Sequence, residues 1–378
     1  MTQSLTRRTF VKATCAAAAA SALPLPLARG ASTTPALPRW RGFNLTNFFQ
    51  ALSKGEQSSG ELNENDLRWM RDWGFDFVRL PMDYWLWIDS DWRKTRTLST
   101  ADMFKLDEAA LAKVDRAIDL CAKYNLHVNV NFHRAPGYCI NDPEREPAVL
   151  WTNREAQDAF TLHWDTFARR YKGIPRKTLS FNLVNEAPRP REGYMTREQY
   201  VDVMRRATEA IRRHSPERIV MVDGFSVGTE VVTEMIPDGV AQSVHAYWPG
   251  GISHYKAGWV NHKGEWIEPT WPLKDKKGKV TADREMLVER YKPWGELVQK
   301  GIGAHCGEAG CYNKTPYPVF IAWFTDVMEI LKGHQIGYAL WNLRGAFGVV
   351  DSGRTDIEYE DFQGHKLDRQ LLTVLQKY

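Results

Sequence analysis

From Trp40 to the C-terminus, short apolar runs alternate with longer amphipathic ones, and this alternation constrains the fold of the 378-residue chain more than any other feature. Strand candidates lie at residues 40–44, 75–80, 127–132, 179–185, 219–223, 242–246, 303–307 and 336–341. Helical spacing fills most of the intervals, at 65–73, 106–124, 154–171, 197–213, 284–300, 320–332 and 366–375. Strand–helix–strand repetition builds a parallel sheet. Eight strands predict an α/β fold of the closed (β/α)8 barrel type, which holds about 250 residues or more in one domain. An open doubly wound sheet favours a Gly-rich phosphate loop after its first strand. Trp40-Arg41-Gly42-Phe43-Asn44-Leu45 contains no such turn. Gly74, Gly301 and Gly333 follow helical runs and precede strands, where C-capping glycines are expected.

Three connections are long: 81–106 after strand 2, 134–153 after strand 3 and 247–283 after strand 6. All leave the C-terminal ends of strands, where barrel active sites are built, so they predict a walled groove. They carry Trp85, Trp87 and Trp92, then Trp151, then Trp248, Trp259, Trp266 and Trp271. Two or more of these are expected to offer a flat aromatic face to a ligand in the groove, with loop packing as the competing use of each. Trp69, Trp73, Trp164, Trp294 and Trp323 fall on helices and are expected to pack the core.

The N-terminal segment is a separate matter. Thr6-Arg7-Arg8-Thr9-Phe10-Val11-Lys12 resembles a twin-arginine export signal and is followed by an Ala-rich run too short to span a bilayer. Residues 1–31 are therefore read as a signal peptide, cleaved after Ala22, Ala28 or Ala31, and 32–38 as a linker. The expected location is periplasmic or extracellular. The leader holds Arg7, Arg8, Lys12 and Arg29 and no acid, which equals the whole +4 excess of 50 basic over 46 acidic residues. The remainder is formally neutral and offers no electrostatic case for nucleic acid or, once the leader is gone, for a membrane. Beyond Cys15 of the leader, Cys121, Cys139, Cys306 and Cys311 show no C-x-x-C metal spacing. Cys139 and Cys311 both follow strands, so a bridge between them is a possible pairing.

Polar residues at strand ends point toward a barrel's active site. Here these are Asn44, Arg79, His133, Asn185, Glu186, His245, Tyr247, Glu308 and Trp341. Glu186 and Glu308 each end a buried run, on strands 4 and 7. One buried glutamate is most simply a structural ion pair, for instance Glu308 with Arg79. Two, on opposite sides of a ring with His, Arg and Tyr, suit glycoside hydrolysis, in which one carboxyl donates a proton and the other attacks as a carboxylate. Proximity helps, because ionising one carboxyl raises the pKa of its neighbour.

These residues resemble glycoside hydrolase family 5, the cellulase family, over residues 39–378. The likeness is carried by Val78-Arg79-Leu80-Pro81, Asn131-Phe132-His133, Leu183-Val184-Asn185-Glu186-Ala187-Pro188, Val244-His245-Ala246-Tyr247, His305-Cys306-Gly307-Glu308 and Leu340-Trp341-Asn342, in family order. Pro188 falls one residue later than the family's usual proline, which Ala187 displaces. The resemblance implies Glu308 as nucleophile and Glu186 as acid and then base. It implies that Asn185 binds the sugar 2-hydroxyl, Tyr247 and Arg79 support Glu308, His245 lies near Glu186, His133 touches the sugar and Trp341 forms its floor. It further implies carboxyl groups about 5–5.5 Å apart and net retention. The expected partner is a β-linked oligo- or polysaccharide, first a β-1,4-glucan cut internally. Mannan, β-1,3- or β-1,6-glucan, or exo action, stand as alternatives. A silent sugar-binding barrel would be expected to have lost a glutamate. A metal-dependent hydrolase would need clustered ligands such as an H-x-H on strand 1, where Asn44 stands. No cofactor or metal is implied.

Overall fold

The computed structural model describes residues 37–378. The leader and residues 32–36 of the linker lie outside the described residues. Eight strands form the barrel: β1 Arg41–Asn44, β2 Phe77–Asp83, β3 His127–Ala135, β4 Leu179–Asn182, β5 Ile219–Asp223, β6 Ala241–Ala246, β7 Ala304–Ala309 and β8 Gly337–Leu340. Each pairs in parallel with the next, and β8 pairs with β1, so the sheet is closed. Seven helices of eight residues or more surround it: α1 Glu64–Asp72, α2 Glu108–Lys123, α3 Arg154–Arg170, α4 Arg197–His214, α5 Arg284–Gln299, α6 Tyr317–Gly333 and α7 Arg369–Lys377. Short polar residues start most of them by accepting first-turn N–H groups. Asn63, Asp107, Asn153, Asp283 and Asp368 do so singly, while Thr196 and Gln199 close a capping box on α4.

Strand alternation sorts the side chains. On β2, Val78 and Leu80 join the large core under the helices, while Phe77 joins a smaller cluster with Trp40, Ile219, Met221, Ala241 and Ala339. Trp40 stacks on His127 at 3.6 Å between centroids, and Phe77 lies 4.3 Å from His305. This plug fills the N-terminal half of the barrel, so the polar inward residues collect at the C-terminal end.

No long helix follows β5, where the sequence shows no helical spacing either; the interval holds only the turn Phe225–Gly228 and the 3-10 segment Thr233–Asp238. Several expectations need correction. A fourth long connection, residues 341–368, follows β8 and includes the hairpin Glu360–Phe362/His365–Leu367. Lys366 therefore pairs in a hairpin, and the last helix starts only after the Asp368 cap. Gly74 and Gly301 do take positive φ, but Gly333 lies inside α6, and Gln335 makes the left-handed turn instead. Asn185 and Glu186 lie beyond the end of β4, and Arg79 lies inside the longer β2. Cys139 and Cys311 are not bridged: the four described cysteines are all free and buried.

Candidate active site

Arg79 rises from β2 into the centre of the ring and organises it. Its Nη1 donates to Glu308 Oε1 at 2.7 Å and to Asn44 Oδ1 at 3.0 Å, and its Nη2 donates to Asn185 Oδ1 at 2.7 Å. Arg79 Nε also reaches Asn182 Oδ1 at 3.3 Å, and Asn131 donates to the same oxygen at 2.9 Å. One guanidinium thus ties together residues from β1, β2, β4 and β7, as its planar fork allows.

Glu308 reaches this position through a local irregularity in β7. The register against β6 slips between Cys306 and Glu308, leaving Gly307 in a bulge. A bulge re-aims the next side chain. Glycine suits this position, because a Cβ would sit 2.5 Å from Ser243 Oγ and force that side chain to shift. Asn44 Nδ2 secures the bulge by donating to Gly307 O at 3.0 Å. On the far side, Tyr247 Oη donates to Glu308 Oε2 at 3.0 Å. Burial pushes the Glu308 carboxyl above its ordinary pKa, while His245 and Arg79 pull it back toward the ionised form.

Glu186 is less enclosed, with 19% of its side chain exposed against 4% for Glu308. Its backbone adopts φ +48°, the left-handed region that non-glycine residues occupy only when neighbours impose it. Those neighbours grip both sides of the residue: Asp223 Oδ2 accepts its N–H at 2.9 Å, and Tyr138 Oη donates to its carbonyl at 2.6 Å. His245 Nδ1 meets Glu186 Oε1 at 3.1 Å, and His245 Nε2 meets Asp223 Oδ2 at 3.1 Å. Burial alone would strip the imidazole of its charge, but Glu308 and Asp223 outweigh it and hold its pKa at about 10.

His133 is buried and stacks with Trp341 at 5.5 Å between centroids, while Phe49 packs edge-on against both rings. Burial, then the Arg79 charge, holds His133 well below the ordinary imidazole pKa, so it is neutral. Beyond Trp341 lies a cavity of about 450 Å³ lined by residues that include Thr46, Glu56, Gln57, Arg344 and Phe347. The nine residues singled out from sequence therefore converge on one end of the barrel. Asn44 faces Arg79 and the bulge, which makes it a support.

Sequence reasoning missed Asp223, Asn182, Tyr138 and Phe49. Asp223 was legible: Ile219 and Met221 face inward, and the same alternation turns Asp223 inward. Tyr138 carried no signal, because its contact depends on how the loop after β3 folds back. Most loop tryptophans also differ from expectation. Trp85, Trp87, Trp92 and Trp151 are buried, and the indole N–H groups of the first three bond to Glu146, His163 and Ile88 O. Trp259, 53% exposed, stands edge-on to Tyr312 and keeps a face open. The helical Trp69, Trp164, Trp294 and Trp323 are core residues, as expected, whereas Trp73 caps the end of α1 and is only half-buried against the core.

Among the described residues, Glu186, His245 and Glu308 are the one group whose acid and imidazole atoms lie within 4.8 Å of one another. With Arg79 on Glu308 and carboxylates on both ring nitrogens of His245, the set suits proton transfer better than metal ligation.

The cellulase model of glycosyl hydrolase family 5 matches residues 30–346. The chain belongs to this family. Its members cleave O-glycosyl bonds, and this family 5 hydrolase is a glycosidase. It is 26% identical over 346 residues to Endoglucanase C of Acetivibrio thermocellus, covering 84% of this chain and 95% of that one. It is 24% identical over 306 residues to Cellodextrinase A of Ruminococcus flavefaciens, covering 78% and 83%. A crystal structure of a glycoside hydrolase superposes with a TM-score of 0.80 at 38% identity over 90% of this chain and 99% of that one. A hyperthermophilic endo-β-1,4-glucanase in complex with substrate shares the fold at TM-score 0.67 and 20% identity, over 89% and 96%.

Proposed function

We propose that this family 5 hydrolase cuts internal β-1,4 bonds of a glucan by double displacement with net retention. The observation that carries the reading is the pair of glutamates, with carboxylate oxygens within 4.8 Å of each other. That proximity suits the close carboxyl pair of a retaining enzyme better than the wider pair that an inverting enzyme keeps for its water. Glu308, held by Arg79 and Tyr247, attacks the anomeric carbon while Glu186 passes its proton to the departing oxygen. The C–O bond breaks and a glycosyl ester forms on Glu308. Glu186, now a carboxylate, takes a proton from water as the water oxygen attacks the same carbon and releases Glu308. Asn185 Nδ2 is buried without a partner and is free to donate to the sugar 2-hydroxyl. Trp341 is the floor beneath the sugar, His133 its neighbour, and the cavity beyond Trp341 receives the preceding sugar unit. The endo-β-1,4 assignment leans on the name of Endoglucanase C.

Two measurements test this. Proton NMR of the first product should show the β-anomer before mutarotation, and Glu308→Gln should lose hydrolysis by a factor of at least about 10⁴. Inverted product, or wild-type hydrolysis in that variant, would remove the mechanism. Product sizes from a panel of β-glucans, mannan and xylan decide the substrate. Release of single end units only would replace endo with exo action.

We also propose that residues 1–31 direct export by the twin-arginine route, so that the enzyme works in the periplasm or outside the cell. The paired Arg7 and Arg8 support this. Changing both to Lys should leave the precursor in the cytoplasm; undiminished export of that variant would end the idea.

A further inference from the structure

We propose that Asp223, through His245, is the positioning residue that keeps the mobile proton on the Glu186–His245 pair and so sets when Glu186 can act as an acid. The inference rests on the reading of Glu186 as acid/base. Its ground is geometric. Two carboxyl groups approach the His245 ring at 3.1 Å each: Glu186 in a hydrogen bond at Nδ1, and Asp223 as an ion-pair neighbour of Nε2 that lies off the hydrogen-bond axis. With Asp223 ionised, its partner nitrogen carries an N–H, and the other nitrogen shares one further proton with Glu186. Whether that proton sits on the ring or on the carboxyl, the charge on Asp223 favours keeping it.

The same Asp223 oxygen accepts the Glu186 N–H at 2.9 Å, so one residue governs both the proton and the left-handed backbone that aims the carboxyl. Asn182 Nδ2 holds the other Asp223 oxygen at 2.9 Å, and Tyr200 Oη ties down its carbonyl at 2.7 Å. The short turn after β5 continues the support. Val227, at φ +59°, donates its N–H to Ala187 O at 2.8 Å, and a Cβ at Gly228 would come within 2.8 Å of the His245 ring. Omission of a long helix here lets the turn pack directly on the acid/base segment.

Other groups face the pair, and the charge balance includes them. Arg79 approaches from β2, with Nη2 3.9 Å from Asp223, and Glu308 from β7, 3.8 Å from His245. Neutral His133 faces it from β3, Tyr138 from the hairpin after β3, and Tyr247 and His254 from beyond β6. On that proton count the Glu186–His245 pair is neutral as a unit, and Arg79 stands against Glu308 and Asp223. Removing the Asp223 charge takes a negative neighbour away from the pair, so the shared proton is held less tightly.

The test is Asp223→Asn, which keeps the shape and the acceptor for the Glu186 N–H but loses the charge and the acceptor facing Asn182. Two substrates are compared: carboxymethyl cellulose, whose leaving group needs a proton, and 2,4-dinitrophenyl β-cellobioside, whose leaving group does not. The basic limb of kcat/KM on the polymer should move down by about one pH unit or more. At neutral pH the polymer rate should fall at least about 30-fold and the dinitrophenyl rate less than about 5-fold. Asp223→Glu, which retains the charge, should keep the basic limb in place even with a lower kcat. An unmoved limb in Asp223→Asn, or equal loss on both substrates, overturns the proposal. If Asp223→Asn does not fold, the wild-type enzyme decides: in ¹⁵N spectra His245 Nε2 should keep its proton from about pH 5 to 8, whereas a ring titrating near the ordinary value of about 6.5 overturns it. Glu186→Ala runs alongside and should spare the dinitrophenyl substrate's first step. Equal loss of both substrates there would condemn the acid/base reading itself, whatever Asp223 does.

Discussion

Arg79 Nη1 lies 2.7 Å from Glu308 Oε1, with 1% and 4% of the two side chains exposed. The contact is a buried ion pair and, in the proposed mechanism, also the anchor of the nucleophile. Sequence reasoning set these two roles against each other, and the site needs both. A carboxylate sealed from water must be paired to remain ionised. The same guanidinium fixes the angle at which that carboxylate meets substrate.

Arg79→Gln should therefore shift the pH profile upward on its acid side. The Glu308 carboxyl already stands above its ordinary pKa through burial, opposed by His245 and Arg79. Removing one cation raises it further, and activity requires the ionised form, so activity is lost at a higher pH as the solution is acidified. The acid limb of kcat/KM should rise by about 1–3 units, and denaturant melts should show a loss of about 3–5 kcal/mol. A limb at the wild-type pH would mean that Arg79 does not control Glu308.

Gly307→Ala should distort the bulge that aims Glu308. The new methyl group would lie 2.5 Å from Ser243 Oγ, less than any relaxed contact permits. Overpacking of this kind costs about 1–3 kcal/mol. Activity should fall at least about 100-fold, since an ångström of misplacement has that effect. Adding Ser243→Ala should restore part of both, and thermal melts with steady-state kinetics would reveal a failure to do so.

Trp259 and Trp85 should separate cleanly on alanine substitution. Trp259 is exposed, and its loss should raise KM for polymer with little change in melting temperature. Trp85 is buried with its indole N–H on Glu146, so its loss should cost about 3–5 kcal/mol. An unchanged KM in Trp259→Ala would remove it from the substrate path.

A thiol titration of denatured, unreduced protein lacking residues 1–31 should count four free thiols, Cys121, Cys139, Cys306 and Cys311. A count of two would indicate a bridge. Cys311 instead directs its thiol to Ile252 O at 3.4 Å, and Cys139 pairs with Arg134 in a short hairpin.

Much of the site was legible because strand periodicity is local. Arg79, His133 and His245 follow from knowing where a strand lies and which way its residues alternate, whereas strict alternation with inward-facing His305 would turn Glu308 outward and the bulge at Gly307 brings it in. Asp223 was available by the same rule and was passed over, since the family pattern has no member there. The tryptophans show the limit. Trp85 and Trp259 look alike in sequence, each in a long loop beyond a strand, yet one is sealed in the core and the other faces solvent. Burial of a loop side chain depends on what the rest of the chain lays over it.

By itself, the sequence determined the eight-strand barrel and the order of its strands, which depend on periodicities of two and 3.6 residues that each segment carries alone, and it singled out the two glutamates by strand ends and family motifs. Only the tertiary structure decided that Glu308 reaches its place through a bulge at Gly307, and that Glu186 is held left-handed between Tyr138 and Asp223. It also set Asp223 and Glu186 on either side of the His245 ring. Such contacts join residues tens to hundreds of positions apart, and their strength depends on separations of about 3 Å that no local pattern encodes.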